Sequence, residues 1–170
     1  MILHTAKGEE FRVDAEDAEK VIGIRWCINS NGYVVTTVNK RTAALFDKPV
    51  GASVRLHRWI MDAPDGMQVD HINHDKSDNR KQNLRLCTAE ENQCNRRSGV
   101  GLSQYKGVSF RPDSPNKPWR ATIWANYRKH SLGSFRTEEE AALAYNEAAK
   151  ELHGDFAMLN DVSGALAPVA

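Results

Sequence analysis

Apolar and polar positions change rhythm twice along the 170 residues of the chain. Up to about residue 62 the apolar segments are short. Ile2-Leu3 and Phe11-Arg-Val13 come first, then a helical turn over Asp14 to Ile22, Trp26, and the strand-like, β-branched run Gly32-Tyr-Val-Val-Thr-Thr-Val38. Ala52-Ser-Val-Arg-Leu56 predicts another strand, and His57-Arg-Trp-Ile-Met61 a helical turn. In Ala63-Pro-Asp-Gly66 Pro presets one φ and Gly accepts a positive one, so a turn follows. Met67 to His71 then alternates as a strand, a polar run forms a loop, and Asn83-Leu-Arg-Leu86 returns as a second strand. Thr88-Ala-Glu-Glu91 is a capping box that opens a helix. The second change comes at Ser98-Gly-Val-Gly-Leu-Ser103, which has no periodicity and predicts a linker over 98–102. Beyond it lie three strand-like segments, Gly107 to Arg111, Trp119 to Trp124 and Lys129 to Leu132. A helix then starts at the capping box Thr137-Glu-Glu-Glu140, with Ala141, Ala144, Tyr145, Ala148 and Leu152 at helical spacing and Gly154 as its stop. Residues 161–170 offer nothing to pack and form a tail.

The expected class is α+β: mixed strands over 1–97, whose core spans about 55–97, and a three-stranded antiparallel sheet packed on one helix over 103–160. Apolar residues at 41% suffice for a real core. The chain has no apolar run of the roughly 18 residues a membrane span needs, and its first eight residues are too short and polar for a secretory signal, so a soluble cytoplasmic protein is expected, with no membrane partner. Cys27, Cys87 and Cys94 are odd in number and form no C-x-x-C pair, which predicts buried reduced thiols.

The net charge of +1 hides an uneven distribution. Residues 1–66 carry nine basic and nine acidic side chains, residues 67–136 thirteen and six (+7), and residues 137–170 one and seven (−6). A basic middle next to an acidic helix is a usable footprint for phosphates, although such charge is also what an ordinary solvated face carries.

Within that basic middle, Asp70 sits on the first strand and Asn92 in the first turns of the helix, so a carboxylate and an amide oxygen can converge. Such hard oxygen ligands suit Mg²⁺ or Mn²⁺. Two protein ligands leave positions for water and phosphate oxygens, which is what metal-assisted phosphodiester hydrolysis requires. His71, with an ordinary pKa near 6.5, can take a proton from water. On a regular strand it faces away from Asp70, so a shared site needs a bend after the strand. Asn83 can accept a hydrogen bond from the other ring nitrogen and fix the tautomer. An isolated Asp-His pair is an ordinary surface hydrogen bond; the spaced set is what points to catalysis.

The runs Val69-Asp-His-Ile-Asn73, Asp78-Asn-Arg80 and Asn83-Leu-Arg85, with Asn92 beyond, resemble the HNH endonucleases of ββα-metal fold, especially phage and intron-encoded homing types. The resemblance implies that Asp70 and Asn92 bind the metal, His71 is the general base and Asn83 orients it. Separations of twelve residues from His71 to Asn83 and twenty-two from Asp70 to Asn92 fit the pattern. It also implies that Asp78-Asn79-Arg80 pins the loop with Arg80 near a phosphate; Arg58, just upstream of the site, is expected to contact DNA. His4, His57, His130 and His153 are expected to be structural, His74 a solvent-facing loop residue, and residues 1–54 scaffold.

In the second module, Val108, Phe110, Ala121, Ile123, His130 and Leu132 are expected to face the helix. Ser109, Arg111, Arg120, Thr122, Trp124, Lys129 and Ser131 form the other face, where Arg can read guanine and Lys can reach phosphates; a solvated sheet face explains the charges but not an exposed Trp124. Tyr105-Lys-Gly-Val, Trp119-Arg-Ala-Thr-Ile, Leu132-Gly-Ser-Phe, Glu139-Glu-Ala-Ala, Ala144-Tyr, Ala148-Ala, His153-Gly and Leu159-Asn resemble the AP2/ERF DNA-binding domain. The resemblance implies that this face contacts DNA. Several positions that are Arg, Glu or Trp in plant members hold Ser, Thr or Trp here, so base preference does not carry over.

The sequence therefore predicts a homing-type DNA endonuclease acting on double-stranded DNA with one divalent cation, in a phage-infected or bacterial cytoplasm. A monomer would nick and a homodimer would cut both strands. The competing reading is a DNA-binding regulator on a non-catalytic HNH platform.

Overall fold

Phe11 lies in the interior, brought there by the antiparallel pairing of β1 (Ile2–His4) with β2 (Glu10–Arg12), in which Leu3 stands opposite Phe11. The computed structural model describes residues 1–95 and 102–163. Its contacts divide the chain into two units, Met1–Ala89 and Glu90–Ala170. In the first, a 3-10 turn over Ala15–Asp17 runs into α1 (Ala18–Val21). Strands β3 (Cys27–Ile28), β4 (Val34–Thr37) and β5 (Ser53–Arg55) form an antiparallel sheet in that order. Between β4 and β5 lies α2 (Ala43–Phe46), which the apolar pattern does not predict because four residues are too few to show a helical period. It is started by Asn39, whose side-chain oxygen accepts from the Arg41 and Thr42 N–H groups. Phe46 then packs edge-on against Trp26 and Trp59, with centroids 6.4 and 4.8 Å away.

The helix α3 (Leu56–Ile60) follows β5 directly. Strands β6 (Gln68–His71) and β7 (Leu84–Cys87) pair antiparallel, and α4 (Ala89–Cys94) comes next. One core serves the elements up to β7: Phe11, Val13, Val21, Trp26, Val34, Val38, Phe46 and Val54 meet Leu56, Ile60, Val69 and Leu84. Residues 1–54 thus supply most of the apolar interior on which β6 and β7 rest, each such side chain contributing about 1.5–3 kcal/mol by burial. The N-terminal hairpin also grips the polar loop, since Arg12 donates its N–H to Ser77 O and accepts from Asn79 N–H, both at 2.8 Å.

In the second unit β8 (Val108–Phe110), β9 (Trp119–Ala125) and β10 (Arg128–Phe135) form an antiparallel sheet in chain order, with a bulge between Ser131 and Gly133. Asn126 and Tyr127, both at positive φ, make the two-residue turn between β9 and β10, a conformation whose twist matches paired strands. Helix α5 (Glu138–His153) packs on this sheet and is capped as predicted, Thr137 Oγ1 accepting from the Glu140 N–H. Its buried face is Ala141, Ala142, Tyr145, Asn146 and Ala149. Leu152, expected on that face, is exposed. Asn146 is buried because its amide is clasped by Asn160, which also bonds both backbone groups of Lys106. A Cβ at Gly107 would lie 2.1 Å from the Tyr145 ring, so only glycine allows this approach of sheet and helix. Phe110 and His130, expected under the helix, are exposed; Phe110 packs edge-on against Trp119.

The division at Ala89/Glu90 falls inside α4, well before the linker expected at 98–102, of which only Leu102 is among the described residues. Glu90 accepts from the Tyr127 N–H, and Lys106 Nζ donates to Cys94 O, which groups this helix with the second unit. The part of the expected tail beyond Ser163 lies outside the described residues. Among the described residues the three cysteines form no disulfide; Cys87 is buried as expected, whereas Cys27, on the edge strand β3, is exposed. Among the described residues no helix is long and apolar enough to cross a membrane.

Candidate functional site

Strand β6 stays regular through its last two residues, with Asp70 opposite Arg85 and His71 opposite Leu84. Successive side chains leave opposite sides of a strand, and these two do. The Asp70 carboxylate is buried, and its Oδ2 accepts from Arg85 Nε at 2.9 Å and Nη2 at 2.7 Å. The ladder runs through both residues, and the bend expected after the strand lies beyond it. The chain turns only afterwards, where His74 N–H donates to His71 O and His74 takes a left-handed φ of 64°.

The His71 ring is buried against aromatic neighbours: His57 edge-on at 5.0 Å and Tyr33 at 6.1 Å between centroids. Burial lowers its pKa, partly opposed by the Asn79 amide and the Asp70 charge, both of which favour the protonated ring. His71 Nε2 lies 3.4 Å from Asn79 Oδ1. The orientation of that amide follows from its other end, because Asn79 Nδ2 donates to the carbonyls of Lys76 and Ser77. A flipped amide would set an oxygen against two oxygens. Asn79 therefore favours the Nε2–H tautomer, with the ring's basic lone pair on Nδ1.

Asn83, expected to orient His71, is bonded within the loop. Its side chain is committed to the loop, Oδ1 accepting from the Asn73 N–H at 3.0 Å and Nδ2 donating to Asp78 O at 2.8 Å, while its carbonyl accepts from the Ile72 N–H. Arg80 is likewise not displayed to a phosphate: Nε and Nη2 both bond the buried Asp78 carboxylate at 2.7 Å. That pairing holds the Asp78 carboxyl below the usual carboxylate range. Arg58, expected to touch DNA, donates to the carbonyls of Ala63, Pro64 and Met67 and fastens the turn before β6.

Sequence reasoning missed Asn79 as the partner of His71, and it missed His57 and Tyr33 as its neighbours. The available signal for His57 was an imidazole set inside the apolar run Leu56-His-Arg-Trp-Ile60. Burial is the largest cause pushing its pKa down to about 3, followed by the charges of His71, Arg55, Arg58 and Lys76. Its Nδ1 is buried, with no hydrogen-bond partner among the described residues.

The chain is 32% identical over 167 residues to an uncharacterized HNH endonuclease, L560, of Acanthamoeba polyphaga mimivirus, an alignment covering 95% of this chain and 80% of that protein. The chain belongs to the HNH endonuclease family. The family's own model matches residues 54–94, which contain β6, the loop, β7 and Asn92. Protein 3.8 of Escherichia phage T7 is 33% identical over 95 residues, 55% of this chain and 76% of that protein. The dehydration-responsive element-binding protein 2E of Oryza sativa is 54% identical over 65 residues, 34% of this chain and 18% of that protein. Membership of the HNH family points to a nuclease, and HNH nucleases generally use a divalent metal ion.

The donor chemistry of the first unit fits such an ion in one respect: Asp70 offers a carboxylate held in place by Arg85. Asn92 is half-buried on α4 and belongs to the second unit, while Asp70 belongs to the first. Among the described residues no group of three or more His, Cys, Asp or Glu side chains is placed to hold a metal, so a cation here would keep most of its water or take substrate oxygens.

On the sheet of the second unit, register puts Ser109 opposite Arg120, Thr122 opposite Ser131 and Trp124 opposite Lys129, so these six share one face. Trp124 is 64% exposed. Arg120 Nη2 donates to Ser131 Oγ at 3.3 Å. Arg111, just past β8, is exposed and paired with Asp113.

Proposed function

We propose that this HNH chain is a sequence-directed, homing-type DNA endonuclease that hydrolyses phosphodiester bonds with one divalent cation, Mg²⁺ or Mn²⁺, and a histidine general base. The observation that carries the reading is the His71 ring, buried, kept below its ordinary pKa and bonded through Nε2 to an amide oxygen whose orientation is determined. In that state His71 accepts the proton of the attacking water on Nδ1, and Asn79 Oδ1 together with the Asp70 charge stabilises the imidazolium that forms. Asp70 and, on the spacing of the motif, Asn92 would hold the cation, which when bound would offset charge at the scissile phosphate. Asn83, Asp78 and Arg80 position the loop that carries Asn79. Residues 103–160 act as an AP2/ERF-like domain whose face of Ser109, Arg120, Thr122, Trp124, Lys129 and Ser131, with Arg111 at its edge, meets double-stranded DNA; phosphate contacts give affinity and base contacts give choice.

The test is nicking of supercoiled plasmid with Mg²⁺ or Mn²⁺. His71→Ala should lower the rate at least a hundredfold and leave DNA binding unchanged. Undiminished cutting by that variant removes the general-base assignment. The engagement of Asp70 by Arg85 favours the second reading, a non-catalytic DNA-binding regulator, and the same assay separates the two: binding with no cutting in either cation supports the regulator.

A further inference from the structure

We propose that Tyr33, Arg55 and Lys76 form a phosphate subsite beside His71 that holds a backbone phosphate of the DNA strand next to the one being cut. The proposal rests on the endonuclease reading for the identity of the strand.

Tyr33 lies immediately before β4, outside the stretch matched by the family model, and its ring links the base to two cations. Its centroid is 6.1 Å from that of His71 and 5.1 Å from that of His57. Lys76 Nζ sits 4.3 Å from the same centroid and the Arg55 guanidinium carbon 5.4 Å. The topology produces this cluster. Arg55 is the register partner of Val35 on β4, two residues beyond Tyr33 and on the same side of that strand. Lys76 comes from the polar loop, where Nζ also donates to Asn31 O at 2.7 Å.

Two cations on one aromatic ring repel each other, and a protein normally relieves this with a carboxylate. Here the acids nearby are used elsewhere: Asp75 pairs with Arg12 and Asp70 with Arg85. Among the described residues neither Arg55 nor Lys76 forms an ion pair. Arg55 is exposed and Lys76 half-buried, and each is steadied by the ring. The cluster is preorganised, cationic, accessible and next to the proposed base, as an anion subsite must be. A phosphodiester seated on it would anchor the strand close to His71.

The experiment measures affinity of the full chain for a duplex of plasmid sequence as a function of KCl, in the His71→Ala background so that the DNA stays intact. Arg55→Gln and Lys76→Gln keep a donor and remove the charge, so Lys76→Gln retains the bond to Asn31 O. Because both cations serve one phosphate, the double variant should reduce the magnitude of the log–log salt slope by about 0.9, the value of one phosphate contact, and each single variant by part of that. Arg55→Lys and Lys76→Arg should leave the slope as it was. Lys48→Gln, at an exposed lysine outside the cluster, serves as the control and should also leave it unchanged. With His71 present, the double variant should lower plasmid-nicking kcat/KM tenfold or more at 150 mM KCl and recover much of it at low salt. An unaltered slope in the double variant, at unchanged melting temperature, overturns the subsite. If the unsubstituted chain cuts nothing, the endonuclease reading fails separately, and the slope comparison still tests the phosphate contact.

Discussion

His57 and His71 are both buried imidazoles, yet their surroundings divide them: His71 has an amide oxygen at Nε2, while His57 Nδ1 has no partner among the described residues. For His57 the folded-state pKa is about 3, below the ordinary value of 6.5 that applies to the unfolded chain. Between those two values the unfolded state carries a proton that the folded state lacks, so stability is fully present above about pH 6.5 and falls with pH towards 3. The slope for one such group is about 1.4 kcal/mol per pH unit, and the lowered pKa of His71 acts in the same direction. Urea unfolding at pH 7, 6 and 5 should therefore show a steady loss of stability, and His57→Phe should remove about one proton's worth of that slope. An identical acid limb in the variant would contradict a neutral, buried His57. At this scale the sequence showed which residue types were present and at what spacing. It did not show that Asn79 rather than Asn83 reaches the imidazole, since both are Asn residues in one polar run and only the folded loop separates their roles.

The loop between β6 and β7 is an element built from side chains in place of a ladder. Asn73, Asp75, Asp78, Asn79 and Asn83 bond backbone groups within two to ten residues, a habit of short amides and carboxylates that favours turns over helix or strand. The density of Asn and Asp in the sequence has this structural cause, and the catalytic interpretation applies to fewer of these residues than the motif suggests. The loop therefore yields two different expected phenotypes. Asn79→Ala should lower nicking kcat ten- to a hundredfold with unchanged DNA affinity, as loss of an outer partner of a functional imidazole does. Asn83→Ala should act first on melting temperature, leaving Asp78 O and the Asn73 N–H without their partner. The reverse ranking, measured by single-turnover cleavage and calorimetry, would restore Asn83 as the orienting residue. Regular elements were easier to anticipate: β4, β6, β7 and the Thr137 cap are legible because alternation and capping act locally. The buried Asn146 was not, since its face of α5 is chosen by Asn160, fourteen residues away.

Across the whole molecule, basic charge is concentrated in residues 67–136, which hold both the HNH motif and the exposed sheet face. Phosphate binding through such charge is insensitive to sequence, so under the proposed function choice of site comes from base edges met by the sheet. Arg120→Ala combined with Lys129→Ala should scatter the cleavage positions mapped by sequencing the cut ends, while cutting at saturating DNA stays within about threefold of the parent. An unchanged map would move site choice away from this face. The chain by itself determined its family motif and its α+β class, because residue spacing, alternation, capping and turn chemistry act over a few neighbours. Tertiary structure alone decided that residues 1–54 form the core beneath β6 and β7 and bring Tyr33 to His71. It also decided that Arg58 and Arg80 spend their charge on the protein itself. Contacts between residues far apart in sequence depend on register and packing, which no local pattern of residues encodes.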